Sequence, residues 1–282
     1  MVPPLARNLE TCKNVHTVKT LIWRLYEPVA MVLGLLILAF ICVGWTLCAL
    51  VADKVLPERV AARVGRAGIH RCFRVYLALL RLLCGCRFDL TALKDLARTR
   101  GDQPLIVAAN HPSLLDAVIL TACLPNAVCI MKADVLHNPF MGLGARVARY
   151  ITNDVPLHMV RSAIAELQRG ACLVVFPEST RTREPPVGHC ESTAGVIAAR
   201  AGVPVQIVTI EMSTAYLGKQ WPLWRPPQLP LHCRVRLGKR LEKVTRPRAF
   251  GPEIEQYFRT HLAPDANGMP DRSRAPQSAW HG

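Results

Sequence analysis

The stretch Asn110-His111-Pro112-Ser113-Leu114-Leu115-Asp116 sets an imidazole, a proline and a carboxylate within one short turn. The apolar run 104–109 before it reads as a buried strand, and 114–123 after it as a helix. Pro112 keeps His111 out of the α region, so His111 belongs to the turn and not to the helix. That placement decides the chemistry. Residues five apart within one helix lie about 140° apart and do not meet, whereas an imidazole held ahead of the first helical turn folds back on Asp116. A carboxylate on one ring nitrogen fixes the tautomer and raises the basicity of the other, which makes a general base. Ser113-x-x-Asp116 also has the form of a capping box, in which Asp116 merely caps the helix.

A second block, Phe176-Pro177-Glu178-Ser179-Thr180-Arg181, follows the strand-like run 171–176. Pro177 ends the ladder, which presents Glu178, Thr180 and Arg181 at a strand's C-terminal end, where open α/β sheets bind ligands. Arg181 suits a planar, bidentate grip on phosphate or carboxylate. Taken alone, it reads equally as one half of a surface ion pair with Glu178 or Glu184.

Together the two blocks resemble the glycerolipid acyltransferase family of the 1-acylglycerol-3-phosphate type, whose Asn-His-x4-Asp motif is followed by Phe-Pro-Glu-Gly-Thr-Arg. The first is intact here, the second carries Ser179 in place of glycine, and the likeness runs over 88–262. The resemblance implies a catalytic pair, His111 and Asp116, with Asn110, Glu178, Ser179, Thr180 and Arg181 binding substrate. It implies direct acyl transfer from acyl-CoA or acyl carrier protein, with no other cofactor and no metal. Backbone N–H groups of the Phe-Pro-Glu-Ser turn or of the helix start would receive the oxyanion. A covalent route through Ser113 or a cysteine is weaker, because no Gly-x-Ser-x-Gly elbow exists.

Two family motifs are altered. Asn153 and Asp154 stand where a second phosphate-holding arginine is expected, and Val203-Pro204-Val205-Gln206-Ile207-Val208 keeps only the first of two prolines. Arg181 is then the one motif arginine left for a phosphate. This favours weighing a glycolipid, aminolipid or aryl-polyene lipid acceptor beside a lysophospholipid. A membrane lipid hydrolase using the same pair, and a silent lipid-binding protein, are the readings from other classes.

The elements that must position these blocks follow from periodicity. Strands are expected at 87–91, 104–109, 127–131, 171–176, 203–210 and 232–237, and helices near 114–123, 140–149, 157–169, 190–201 and 250–262. This alternation predicts an α/β fold, a mixed sheet flanked by helices on both faces, as the family resemblance also implies. It occupies 87–263 and is followed by a disordered tail, 264–282, rich in Pro, Ser, Asp and Arg.

Ahead of it, 1–28 is mixed and polar, and 29–52 is an uncharged run long enough to cross or embed in a bilayer. The basic amphipathic segment 53–86 follows, with a helix over 58–83. Its Arg59, Arg63, Arg66, His70, Arg74 and Arg81 recur at helical spacing as one stripe, suited to an anionic membrane surface. Basic residues are denser after the apolar run than before it, which puts the catalytic domain on the cytoplasmic side, as of a bacterial inner membrane. The formal charge of +15 suits anionic lipid and acidic substrates. Nucleic acid is not expected, since no basic-aromatic RNA signature or zinc-finger spacing is present. Eleven cysteines, an odd number lying mostly in apolar runs (Cys42, Cys48, Cys123, Cys129, Cys172), read as reduced thiols. The loop Trp221-Pro222-Leu223-Trp224-Arg225-Pro226-Pro227 suits a lipid contact and a packed connection equally.

Overall fold

Short apolar runs become strands and longer ones helices, in a computed structural model that describes residues 4–137, 142–214, 216–222 and 224–262. The strands are β1 (Cys86–Asp89), β2 (Leu105–Ala109), β3 (Ala127–Met131), β4 (Ile151–Thr152), β5 (Cys172–Val175), β6 (Val205–Met212) and β7 (Leu231–Leu241). They form a sheet of order β1-β7-β6-β2-β5-β3-β4. Every pair is parallel except β6 with β7, so the sheet is mixed.

Alternation along β2 assigns the two faces. Leu105, Val107 and Ala109 join one buried cluster with Leu93 of α3 (Thr91–Arg100), Ile119 of α4 (Leu115–Cys123) and Leu77 of α2 (Glu58–Leu83). Ile106 and Ala108 join the other, with Leu167 of α6 (Pro156–Gln168), Ile197 of α7 (Thr193–Ala201) and Phe258 of α8 (Phe250–Leu262). The period of two thus puts helices on both faces. β2 and β5 are buried throughout, as central parallel strands covered on both sides must be.

Several elements depart from the sequence reading. α3 and β4 were not expected: α3 turns little more than Leu93 and Leu96 inward, and β4 is two residues pairing with the end of β3. Of the expected helix over 140–149, the described residues form α5 (Gly142–Val147), which gives way to a turn at 148–149; residues 140 and 141 lie outside the described residues. β7 is longer than expected, because it follows β6 through a register shift near Gln206. α1 (Pro4–Val55) runs on through Pro28, so the backbone has no break between the polar segment and the apolar run. The expected tail, 264–282, lies outside the described residues.

α1 and α2 form a hairpin laid along the domain. At one end Glu27 accepts the Leu229 N–H at 3.0 Å, and Tyr26 donates to the Leu83 carbonyl. Towards the other, Ala49 packs with Ala61 and Val147. Close approach depends on glycines. A Cβ at Gly65 would meet the Ala148 backbone at 2.8 Å, and one at Gly68 would overlap the Trp45 ring at 1.9 Å.

The basic stripe is not one outward face. Arg59, Arg63 and Arg74 are exposed, but His70 Nδ1 lies 2.9 Å from the Thr121 carbonyl and Arg81 donates to the Phe88 carbonyl at 2.6 Å. Arg66 is buried: it donates to Glu166 at 2.5 Å, to the Ala148 carbonyl at 3.0 Å and to Asn126 at 2.9 Å. Helical spacing put these residues on one face; α4 and the 148–150 turn cover the middle of that face. Arg66→Ala would strand the buried Glu166 carboxylate, a loss of about 3 kcal/mol, at the lower end for buried pairs because Arg169 still reaches it at 2.7 Å. Thermal unfolding in detergent micelles measures this. The double variant Arg66→Met, Glu166→Met should recover most of the loss, and an equal deficit in both would remove the pair as its cause.

Candidate active site

β2 and β5 are adjacent and parallel, with Ala108 opposite Val175, so their C-terminal ends release the two polar blocks side by side. His111 Nδ1 lies 3.0 Å from Asp116 Oδ2, and the same oxygen accepts the Ser113 N–H at 2.7 Å. One carboxylate oxygen thus holds both the imidazole and the backbone ahead of α4, whose N-cap position, Leu114, carries no side-chain hydrogen bond. The His111 ring stacks on Phe176, with centroids 3.9 Å apart and planes at 16°. With Nδ1 engaged and the ring clamped, Nε2 is the nitrogen left for proton transfer.

Asp116 is fully buried, and its Oδ1 has no partner. Burial pushes its carboxyl above the ordinary carboxylate range; the hydrogen bond and charge of His111 and the Ser113 N–H oppose this only in part.

Asn110 and Glu178, expected to bind substrate, do not line the cavity. Asn110 spends both ends of its amide on one backbone unit of β6: Nδ2 donates to the Ile210 carbonyl at 2.9 Å and Oδ1 accepts the Ile210 N–H at 2.7 Å. Glu178 accepts from the His111 N–H, the Thr182 hydroxyl and the Gly188 N–H, each at 2.9 Å. Both are buried and hold the turns together. Their partners are distant in sequence, so spacing carried no sign of this.

Ser179, Thr180 and Arg181 do line the cavity, as His111 does. Ser179 has φ 53°, the left-handed conformation that glycine supplies in the family block, so the turn survives the replacement at a cost of about 1–2 kcal/mol. Arg181 Nη1 donates to the carbonyls of Leu217 at 2.9 Å and Gly218 at 2.8 Å, and so ties the loop after β6 to the site. The ion pairs with Glu178 or Glu184 read as an alternative do not occur.

The cavity is about 720 Å³, within the usual range for small-molecule sites. It runs from these residues to Ile41, Trp45, Ile69 and Phe73, so the α1–α2 hairpin forms one wall. Lys132 and Lys219 also line it, as does Asn153. Lys219 belongs to no motif, and nothing in the sequence singled it out. Amides at the start of α4 are committed: Ser113 to Asp116, Leu114 to the Leu217 carbonyl and Leu115 to the Ser113 hydroxyl. The helix start therefore supplies no free oxyanion donor there. Among the described residues no group of three His, Cys, Asp or Glu side chains is placed to hold a metal.

Residues 89–213 match the profile of the family described as Acyltransferase. A 1-acyl-sn-glycerol-3-phosphate acyltransferase of Pseudomonas aeruginosa is 21% identical over 202 residues, 70% of this chain and 74% of that protein. Together with the sequence motifs, these likenesses support the glycerolipid acyltransferase family for this chain. It is an O-acyltransferase. A putative 1-acyl-sn-glycerol-3-phosphate acyltransferase of Caenorhabditis elegans is 31% identical over 122 residues, 41% of this chain and 43% of its own length. Among solved structures, the 1-acyl-sn-glycerophosphate acyltransferase PlsC of Thermotoga maritima shares the fold with a TM-score of 0.57 at 19% identity, over 87% of this chain and 94% of that one.

The raised carboxyl of Asp116 sets a test of stability against pH. A carboxylate whose folded pKa is raised contributes stability below its unfolded value, about 3.9, and loses it as pH rises through the folded value. Asp116→Asn does not ionise, so its unfolding midpoint should equal or exceed that of the unchanged protein at pH 8, with the advantage shrinking towards pH 4. A less stable variant at pH 8 would show that the ionised carboxylate stabilises the fold on balance.

Proposed function

We propose that this acyltransferase moves a fatty acyl group from a thioester of coenzyme A or acyl carrier protein to the hydroxyl of a lysophospholipid of the 1-acylglycerol-3-phosphate type. The observation that carries the reading is the His111–Asp116 pair at the wall of a cavity whose far side is the α1–α2 hairpin. His111 Nε2 takes the proton from the acceptor hydroxyl, and the forming alkoxide attacks the thioester carbonyl. Asp116 holds the imidazole in the right tautomer and stabilises the imidazolium. The tetrahedral oxyanion is received by N–H groups of the 176–181 turn other than that of Ser179, which donates to the Phe176 carbonyl at 2.9 Å; those of the α4 start are engaged elsewhere as well. Collapse breaks the C–S bond, and the departing thiolate recovers the proton from His111. The names of the relatives favour this acceptor class over the glycolipid, aminolipid and aryl-polyene alternatives, and the lysines of the cavity favour an anionic headgroup. The apolar cavity wall of Ile41, Ile69 and Phe73 suits acyl chains.

Membrane attachment is part of the proposal. The outer face of α1 exposes Val29, Val32, Leu36, Phe40, Val43 and Leu47, and residues 22–55 have the length and hydropathy of a span. The opposite face is packed on the domain near both ends of that stretch, through Glu27 and Ala49. A helix upright in the bilayer would draw the part of the domain packed along it, between Glu27 and Ala49, into hydrocarbon. Embedding in one leaflet, with the domain on the cytoplasmic side and exposed Arg59, Arg63 and Arg74 near anionic headgroups, satisfies both faces.

His111→Ala should lower kcat/KM by at least about 100-fold, as for loss of a general base, while the protein remains in the membrane fraction. Near-normal turnover of the purified variant would end this mechanism. Leu36→Asp with Phe40→Asp places two charges on side chains that are 51% and 77% exposed. At roughly 2.5–3.5 kcal/mol each in hydrocarbon, they should cut vesicle flotation more than tenfold without altering the unfolding midpoint. Unchanged flotation would show that this face does not meet lipid.

A further inference from the structure

Four neighbouring strands, β6, β2, β5 and β3, run parallel to one another and end at the same edge of the sheet. β2 delivers His111 and β5 delivers Arg181. β3 ends at Met131, immediately before Lys132, and β6 ends at Met212, where the chain enters the loop carrying Lys219. We propose that Lys219 is a specificity-determining residue for the acceptor, forming with Lys132 and Arg181 a cationic mouth that grips the phosphate monoester of the lysophospholipid. This inference rests on the acyl-transfer reading above and extends it to a residue beyond the stretch 89–213 that matches the family profile.

The loop holds Lys219 in a fixed place beside the reacting groups. The Leu217 carbonyl accepts the Leu114 N–H at 3.2 Å, and Arg181 holds the carbonyls of Leu217 and Gly218. Leu217 turns through a φ of 53°, and a Cβ at Gly218 would meet the carbonyl of Pro112, next to His111, at 3.3 Å. The Trp221 N–H then closes on the Gly218 carbonyl at 3.3 Å, and Arg225 covers the Trp221 ring at 4.3 Å. Lys219 is thus displayed by a braced turn and not by a free loop.

Charge argues for an anion. Among the described residues lining the cavity, Lys132, Arg181 and Lys219 stand against one carboxylate, Glu191. The Lys219 ammonium is disfavoured first by Lys132, then by its partial desolvation, Arg183 and Arg181. Like charges gathered so closely are relieved by a multiply charged anion, and a phosphate monoester supplies nearly two negative charges near pH 7. Arg181 gives Nη1 to the loop, which leaves only part of its fork for a ligand. Where the family carries a second arginine, Asn153 is neutral, and Arg149 nearby is committed to Glu58 and Glu166. Lys132 and Lys219 replace the missing charge from other strands.

The phosphates of coenzyme A present the same chemistry, so the test separates the two sources. Full-length Lys219→Ala in mixed micelles is assayed against lysophosphatidic acid, against neutral monoacylglycerol, and with varied acyl-CoA. The KM for lysophosphatidic acid should rise about 10- to 100-fold with kcat little changed. The KM values for monoacylglycerol and acyl-CoA should stay within about twofold, and Lys219→Arg should restore most of the loss. A rise confined to acyl-CoA, or no rise for any substrate, overturns the role of Lys219 and leaves the acyl-transfer reading standing. An unchanged enzyme that acylates monoacylglycerol but not lysophosphatidic acid removes the acceptor assignment and this inference together.

Discussion

The site depends on one buried carboxylate that lies outside the lining of the cavity. Glu178 draws the His111 N–H, the Thr182 hydroxyl and the Gly188 N–H onto two oxygens, so it fastens the end of β2 to the turn after β5 and to the segment beyond. An ionised carboxylate is retained in a protein interior only when its lone pairs are filled, and charge-assisted bonds of this kind contribute about 1.5–3 kcal/mol each. Thr182 returns the tie, donating its N–H to the His111 carbonyl at 2.8 Å. The imidazole therefore hangs from a backbone held on both its donor and its acceptor side. Asn110 completes the frame by reading the Ile210 backbone from β6. Three adjacent strand ends are locked together before any substrate is involved.

What the sequence revealed divides along the distance between partners. His111 and Asp116 are neighbours in the chain, and Pro112 constrains the backbone between them, so their contact follows from local rules. Asn110 and Glu178 sat in the same recognisable blocks, yet their partners lie far off in sequence, and nothing local distinguishes a substrate ligand from a cross-brace. The strands were recognisable because central parallel strands are apolar throughout. α3 escaped notice because Leu93 and Leu96 give it too narrow an inward face. Helical periodicity gathered Arg59, Arg63, Arg66 and His70 on one side of α2, but periodicity is blind to what covers that side. Arg66, which an exposed stripe would send to lipid, instead meets Glu166 inside the protein.

The cysteines repeat this lesson. Cys129 and Cys172 are buried on neighbouring strands and behave as small apolar side chains, with burial pushing their thiols up to about 12 and about 11. Cys48, in the same kind of apolar run, is exposed on α1. The aromatic loop divides likewise: Trp221 packs edge-on against Tyr216, while Trp224 is 80% exposed.

The glycine contacts of the hairpin bear on how its attachment responds to surroundings. Inside a bilayer, helices gain nothing by hiding apolar surface from lipid tails that are equally apolar, so water-driven burial cannot hold such a pair to its partner. Gly65 against the Ala148 backbone and Gly68 against Trp45 work by shape, through dispersion between surfaces that leave no gap. Adhesion of that kind is indifferent to whether the outer face of α1 meets water, detergent or acyl chains. The wall of the cavity can therefore keep one geometry while the medium beyond it changes.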